Sequence, residues 1–75
     1  MTPEQVAELL RKTFNDGPVT VTSEDQVHFD AVVVSKQFAG KTRVQQQQMV
    51  YQVLNPYIAN GEIHALGLKT MVGKV

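Results

Sequence analysis

Two histidines, His28 and His64, are the side chains of this chain best suited to chemistry near neutral pH. Imidazole changes its charge in that range, and the neutral ring binds metal ions. His28 lies in the β-branched segment 27–34, and His64 lies in the short apolar segment 61–70. If these segments are neighbouring parallel strands, both histidines lie near strand starts, at one end of a sheet whose strands are about 4.8 Å apart. The pair is therefore a candidate metal site.

Two interpretations of this histidine pair stay open on the sequence alone. Two imidazoles do not fill a tetrahedral site, so they are either unrelated polar residues at strand ends or part of a site completed from elsewhere. The chain has no cysteine, which excludes a disulfide, a thiolate nucleophile and a cysteine-based zinc site within it. An iron–sulfur cluster would need thiolates from a partner, with imidazole replacing thiolate on one iron as in Rieske-type centres.

No catalytic constellation stands out among the hydroxyl and carboxylate side chains. Ser23 and Ser35 have no histidine in a sequence relation that indicates a triad. Asp30 shares a strand face with His28, which is more typical of an orienting or solvating contact than of an acid–base pair. We therefore predict a protein without enzymatic activity.

A second candidate site lies at the start of the longer predicted helix. Lys41 and Arg43 could contact phosphates there, and the glutamine run 45–48 could contact base edges in a groove. The same run is also typical of a solvated helix face, since glutamine is a good helix former without charge. Seven basic and seven acidic side chains cancel, so any contact with nucleic acid or an anionic membrane has to be local.

The elements that position these residues follow from local signals. Thr2 and Thr42 are each followed by a glutamine three residues on, which predicts a capping box at the start of each helix. Alternating β-branched residues predict strands at 19–22 and 27–34, joined as a hairpin with the face of Phe29 toward the core. Pro56 lacks the N–H that a helix interior needs, which predicts a break and a separate short helix over 56–60.

The predicted order is α-β-β-α-α-β, an α+β fold with a three-stranded mixed sheet in a single domain, residues 1–75. A right-handed crossover makes the second and third strands parallel, and the tail 70–75 is expected to fray. No apolar stretch approaches the roughly 20 residues of a membrane span, and residues 1–5 lack the order of a secretory signal. We therefore expect a cytoplasmic protein that does not bind membranes.

The order of the central elements is similar to that of a type II KH fold, which binds nucleic acid. The Gly-x-x-Gly clamp that a KH domain carries between its helices is absent from residues 55–60. The KH similarity therefore extends to the fold and does not by itself indicate nucleic-acid binding.

Several spaced motifs resemble the signature of the BolA family, in family order, over about residues 19–70. They are Phe38-x-Gly40-x-Thr42-x-Val44, Val50-Tyr51-x-x-Leu54, Ile63-His64-Ala65-Leu66, and His28-Phe29 followed by Val32-Val33-Val34-Ser35. Gln46-Gln47 stands where many members carry Arg-His. Together with the short length, this departure resembles the IbaG-type branch, and it weakens any carry-over of basic DNA contacts.

The resemblance implies a BolA-like adaptor that pairs with a monothiol glutaredoxin and helps bind or transfer a [2Fe-2S] cluster shared with the glutaredoxin and glutathione. Alone, the protein would hold no cluster. In the family the histidine of the Ile-His-Ala-Leu motif is a ligand, which implies His64 here, and His28 is the nearest match to the second ligand of many members. The family is also linked to transcription and stress response, so the alternative is a nucleic-acid-binding regulator that uses Lys41 and Arg43. A homodimer is left open.

Overall fold

Two capping boxes fix where the helices begin. Helix α1 (Pro3–Thr13) follows Thr2, whose hydroxyl accepts a hydrogen bond from the backbone N–H of Gln5 while the Gln5 amide oxygen accepts one from the N–H of Thr2. Helix α2 (Arg43–Ala59) begins in the same way after Thr42. Both helix starts predicted from the sequence are therefore confirmed. The structure is a computed structural model that describes residues 1–73.

The sheet has three strands in the order β1-β2-β3. They are β1 (Val19–Thr22), β2 (His28–Ser35) and β3 (Ala65–Val72). The β1–β2 hairpin is antiparallel and β2–β3 is parallel, as predicted, with His28 opposite Ala65 and Ser35 opposite Val72. A 3-10 turn, Lys36–Phe38, connects β2 to α2. The crossover through α2 thus brings the starts of β2 and β3 to the same end of the sheet.

The core lies between one face of the sheet and the two helices. The β2 face that carries Phe29 is buried, as predicted, and the rings of Phe14 and Phe38 pack with centroids 5.2 Å apart at its edge. Ile63 is 1% exposed and belongs to this core, although it precedes β3. The other buried apolar residues are Val6, Ala7, Leu10, Val19, Ala31, Val33, Val50 and Leu54.

The predicted break at Pro56 is wrong, because α2 is continuous through it. A proline removes one N–H donor, here the partner of the Gln52 carbonyl. Pro56 and Gln52 both lie at exposed positions in the last turns of the helix, where water can bond that carbonyl. Leu54 is buried and Ile58 packs against the core, which holds this last part of the helix in place.

Three further expectations need correction. Helical spacing predicts Val44 on one apolar face of α2 with Val50 and Leu54, but Val44 is 62% exposed. Strand β3 begins at Ala65, later than predicted, because the N–H of Ile63 donates to the carbonyl of Tyr57 at the end of α2. The strand then continues through Val72, so the expected fraying at 70–72 is wrong. Residues 74–75 lie outside the described residues.

Candidate functional site

His28 is held at the mouth of β2 by its neighbours on both sides. Phe29, the next residue, is 2% exposed and anchors the strand start in the core. The imidazole of His28 is on the opposite side and is 62% exposed. Its Nδ1 lies 2.6 Å from Oδ2 of Asp25. One edge of the ring is thus bound to the loop before β2, and the rest of the ring faces solvent.

Asp25 organises the loop between β1 and β2. Its Oδ1 accepts the backbone N–H groups of His28 at 2.8 Å and of Val27 at 3.0 Å. The hydroxyl of Ser23 donates to the carbonyl of His28 at 2.7 Å, which ties the two ends of the loop together. The N–H of His28, then that of Val27, and then the His28 ring lower the pKa of the Asp25 carboxyl. Asp25 is therefore ionised at neutral pH and acts only as an acceptor.

Sequence reasoning missed Asp25 and considered Asp30 instead. Asp30 is on the same strand face as His28, but its Oδ1 lies over Gly67 of β3, where an added Cβ would collide with that oxygen. The signal for Asp25 was local. An aspartate in a short polar turn commonly accepts the backbone N–H groups of the residues two and three positions later.

His64 is held by its backbone, in contrast to His28. Its N–H donates to the carbonyl of Val27 at 2.7 Å, and the N–H of Ala65 donates to the same oxygen at 3.2 Å. The preceding residue, Ile63, is buried in the core. The side chain of His64 is exposed. The position of the residue is therefore fixed by its main chain, and its ring is exposed at the surface.

The fold brings the two rings together. The ring centroids of His28 and His64 are 6.1 Å apart and the planes are tilted by 58°. A metal–nitrogen bond of about 2.1 Å, plus about 1.2 Å from nitrogen to ring centre, limits two rings on one metal to roughly 6.5 Å. The histidine pair is within this limit. For a tetrahedral nitrogen–metal–nitrogen angle, the two ring centroids would have to move closer by less than roughly 1 Å. Within residues 1–73 no third His, Cys, Asp or Glu joins them to form a metal-binding group.

Lys41 and Arg43 lie away from the histidine pair. Arg43 lines an open groove with Lys69 and Thr70 of β3, about five residues or roughly 16 Å along the strand from Ala65. Lys69 was not predicted as part of this group, because nothing in the local sequence places it beside α2. These three cations, Lys41, Arg43 and Lys69, are all exposed and are called the basic group below.

The glutamine run is only partly a solvated face. Gln46 is half-buried: its amide nitrogen donates to the carbonyl of Lys41 at 3.0 Å, and its oxygen accepts from the hydroxyl of Thr70 at 2.8 Å. Gln47 is also half-buried, whereas Gln48 is exposed. Gln46 therefore joins the start of α2 to β3 and is not available to read base edges.

Fold and site together define a small α+β module with an exposed pair of imidazoles at one end of its sheet. No helix in residues 1–73 is long and apolar enough to cross a bilayer.

Comparison with known proteins gives the family. A family model described as BolA-like protein matches residues 6–74. The chain is 44% identical over 71 residues to a protein of the rpoN–murA intergenic region in Acinetobacter guillouiae, covering 95% of this chain and 84% of that protein. It is 45% identical over 47 residues to the acid stress protein IbaG of Escherichia coli, covering 63% and 56% of the two chains. A bol-like protein from Babesia bovis has the same fold, with a TM-score of 0.82, 28% identity and coverage of 96% and 85%. The chain belongs to the BolA family.

Proposed function

We propose that this chain is a non-enzymatic adaptor that pairs with a monothiol glutaredoxin and helps bind or transfer a [2Fe-2S] cluster. The observation that carries the proposal is the histidine pair, with ring centroids 6.1 Å apart at one end of the sheet. Each iron of a [2Fe-2S] cluster takes two ligands besides the bridging sulfides, and two imidazoles can replace two thiolates on one iron. Two imidazoles from this chain therefore match one half of a shared cluster.

The thiolates for the other iron have to come from a partner. This chain has no cysteine, so a glutaredoxin cysteine and the thiol of glutathione are the proposed source. The exposed position of both rings supports the proposal, because a cluster bridging two chains has to lie at a surface. Each histidine is adjacent in sequence to a buried residue, Phe29 or Ile63, so the backbone under each ring is fixed before a partner binds.

In this proposal the chain contributes two neutral imidazole donors and a surface on which the glutaredoxin docks. The cluster is cargo, and imidazole in place of thiolate raises its reduction potential. Passing the cluster to a recipient protein then requires only exchange of ligands at an exposed site. The relative IbaG is named an acid stress protein. By extension from this relative, we propose that iron–sulfur handling by this chain serves a stress response.

Reconstitution tests this function. The protein is mixed anaerobically with a monothiol glutaredoxin, glutathione, ferrous iron and sulfide, and the products are separated by size. We expect a heterodimer whose visible absorption and circular dichroism differ from those of the glutaredoxin homodimer, while this protein treated alone stays colourless. A spectrum identical to that of the homodimer, with no co-elution of the two proteins, contradicts the proposal.

A second candidate function is a small nucleic-acid-binding transcription regulator, and one observation favours it. The basic group places three exposed cations around the start of α2 and the adjacent part of β3. Phosphate contacts by these residues make binding fall steeply with salt. Replacing Lys41 and Arg43 by alanine should abolish a mobility shift on nucleic acid and leave glutaredoxin pairing intact. Absence of a specific shift at physiological salt eliminates this candidate.

A further inference from the structure

We propose that Asp25 is a positioning residue for His28: it fixes the neutral ring in the Nδ1–H tautomer, so that Nε2 is the nitrogen presented to a metal. The inference deepens the proposed function and rests on the ligand role that it gives to His28. It assigns a task to a residue outside the histidine pair.

The geometry of the loop supports this assignment. Oδ2 of Asp25 is 2.6 Å from Nδ1 of His28, which is at the short end for a charge-assisted hydrogen bond. An ionised carboxylate has no proton to donate, so the hydrogen of this bond belongs to Nδ1. The other oxygen, Oδ1, accepts the N–H groups of Val27 and His28. Two backbone N–H groups therefore fix the carboxylate, and the carboxylate in turn fixes the ring.

The consequence for the ring is chemical as well as geometric. A neutral imidazole carries one N–H and one lone pair, so a proton held on Nδ1 leaves the lone pair on Nε2. Metal-binding histidines commonly donate their other ring N–H to a carboxylate, and this contact orients the ring and raises its basicity. In the described residues no such carboxylate bond is made by His64, whose backbone alone positions it. On binding a metal, the His28 ring would thus already be oriented by a carboxylate, whereas the His64 ring would not.

Asp25→Asn is the informative variant because it keeps the loop and changes the tautomer. Its amide oxygen can accept the N–H groups of Val27 and His28 as Oδ1 does. Its NH₂ group then faces Nδ1 of His28 and can only donate, so the ring must carry its proton on Nε2 to accept this bond. The matched control is Glu24→Gln. Glu24 lines the same open hollow as His28, and within residues 1–73 it makes no hydrogen bond to that ring.

The first measurement is a long-range proton–nitrogen correlation spectrum of the histidine rings in the metal-free protein at a pH where both are neutral. We expect Nδ1 of His28 to be protonated and Nε2 to be unprotonated in the wild type and in Glu24→Gln. In Asp25→Asn the two nitrogens should exchange roles, while the His64 signals stay unchanged. A wild-type His28 protonated on Nε2, or an Asp25→Asn spectrum with the wild-type pattern, overturns the inference.

The second measurement uses Zn²⁺ alone as the probe, without iron or glutaredoxin. In the wild type and in Glu24→Gln, added Zn²⁺ should shift the Nε2 signal of His28. Loss of a carboxylate partner of a ligating histidine costs roughly 10- to 100-fold in metal affinity, so Asp25→Asn should bind Zn²⁺ at least about tenfold more weakly. Equal affinities in the two variants contradict the assignment. If these results hold but the glutaredoxin reconstitution fails, the proposed function falls while the positioning role of Asp25 stands.

Discussion

The backbone N–H of His64 donates to the carbonyl oxygen of Val27 at 2.7 Å. This bond lies just before the first residue pair of the parallel β2–β3 ladder, in which His28 is opposite Ala65. It joins the segment that carries one histidine directly to the residue that precedes the other. Because the bond uses only main-chain atoms, it should be kept when either histidine side chain is truncated to alanine, and the predictions for the site depend on this.

His64→Ala should leave the fold intact. The side chain is exposed and the bond to Val27 is kept, so the free energy of unfolding should change by no more than about 0.5 kcal/mol. The bridged cluster should nevertheless shift toward the spectrum and potential of the glutaredoxin-only form, because imidazole ligation raises the potential. His28→Ala should produce a smaller shift. Urea unfolding and visible spectra of the reconstituted complex check both effects. Unfolding of His64→Ala, with only sulfur ligation in the wild-type cluster, would make His64 a structural residue.

Ile63→Ala should destabilise the protein. Ile63 is 1% exposed, and removal of a large buried aliphatic side chain typically costs about 2–5 kcal/mol. Val44→Ala is the control on the exposed side, since Val44 is 62% exposed and its truncation should change stability by about 0.5 kcal/mol or less. Equal losses for the two variants in denaturant unfolding would show that Ile63 does not anchor the segment before β3.

Gly17→Ala should be more damaging than Gly40→Ala. A Cβ at position 17 would collide with the carbonyl oxygen of Val34, a backbone atom that is fixed by its own strand. At Gly40 the φ angle is +74° but there is open space around the Cβ, so the cost is confined to about 1–2 kcal/mol of left-handed backbone strain. Thermal unfolding of the two variants gives the order directly. A melting temperature for Gly17→Ala at or above that of Gly40→Ala contradicts the close approach.

Stability should fall in acid partly through Asp16. The N–H of Lys36 and the hydroxyl of Ser35 donate to its carboxylate and lower its pKa below 3.8. Since the folded-state pKa is depressed, this contribution is complete above 3.8 and is lost as the pH falls through the folded value. Wild type should therefore exceed Asp16→Asn in stability at neutral pH, and the difference should narrow below 3.8. Ser35→Ala, which removes one donor, should give an intermediate pH slope. A difference in stability that is constant with pH would show that Asp16 does not contribute to the loss of stability in acid.

The sequence predicted most of the elements because their signals are local. The capping boxes at Thr2 and Thr42 each indicate a helix start within four residues. The right-handed crossover rule predicts the parallel pairing of β2 and β3 without any knowledge of packing. The continuity of α2 at Pro56 was not predictable in this way. It depends on the contacts of Leu54 and Ile58 with the core and on a solvent-facing carbonyl at Gln52, which only the tertiary structure shows.

The sequence placed the two histidines of the candidate site together, but it did not predict the contacts that position them. His28 and His64 were placed at one end of the sheet by topology, and the structure brings their rings to 6.1 Å between centroids. The carboxylate bonded to His28 belongs to Asp25 in the loop, because the turn directs that side chain toward the ring. The bond between Gln46 and Thr70 joins segments far apart in the chain, so no local pattern announces it.

The parallel pairing of β2 and β3 also determines the stage of folding at which the two histidines come together. The hairpin and each helix form from neighbouring residues, but β3 reaches β2 only after the whole of α2 has been folded back, and closing so long a loop is entropically costly and slow. In the described sheet β3 has a single neighbour, so its detachment parts the two rings while β1 and β2 stay paired. A partner that bound both imidazoles would therefore favour the folded domain over states in which β3 is detached, and would raise the free energy of unfolding of a sheet that is already complete without it.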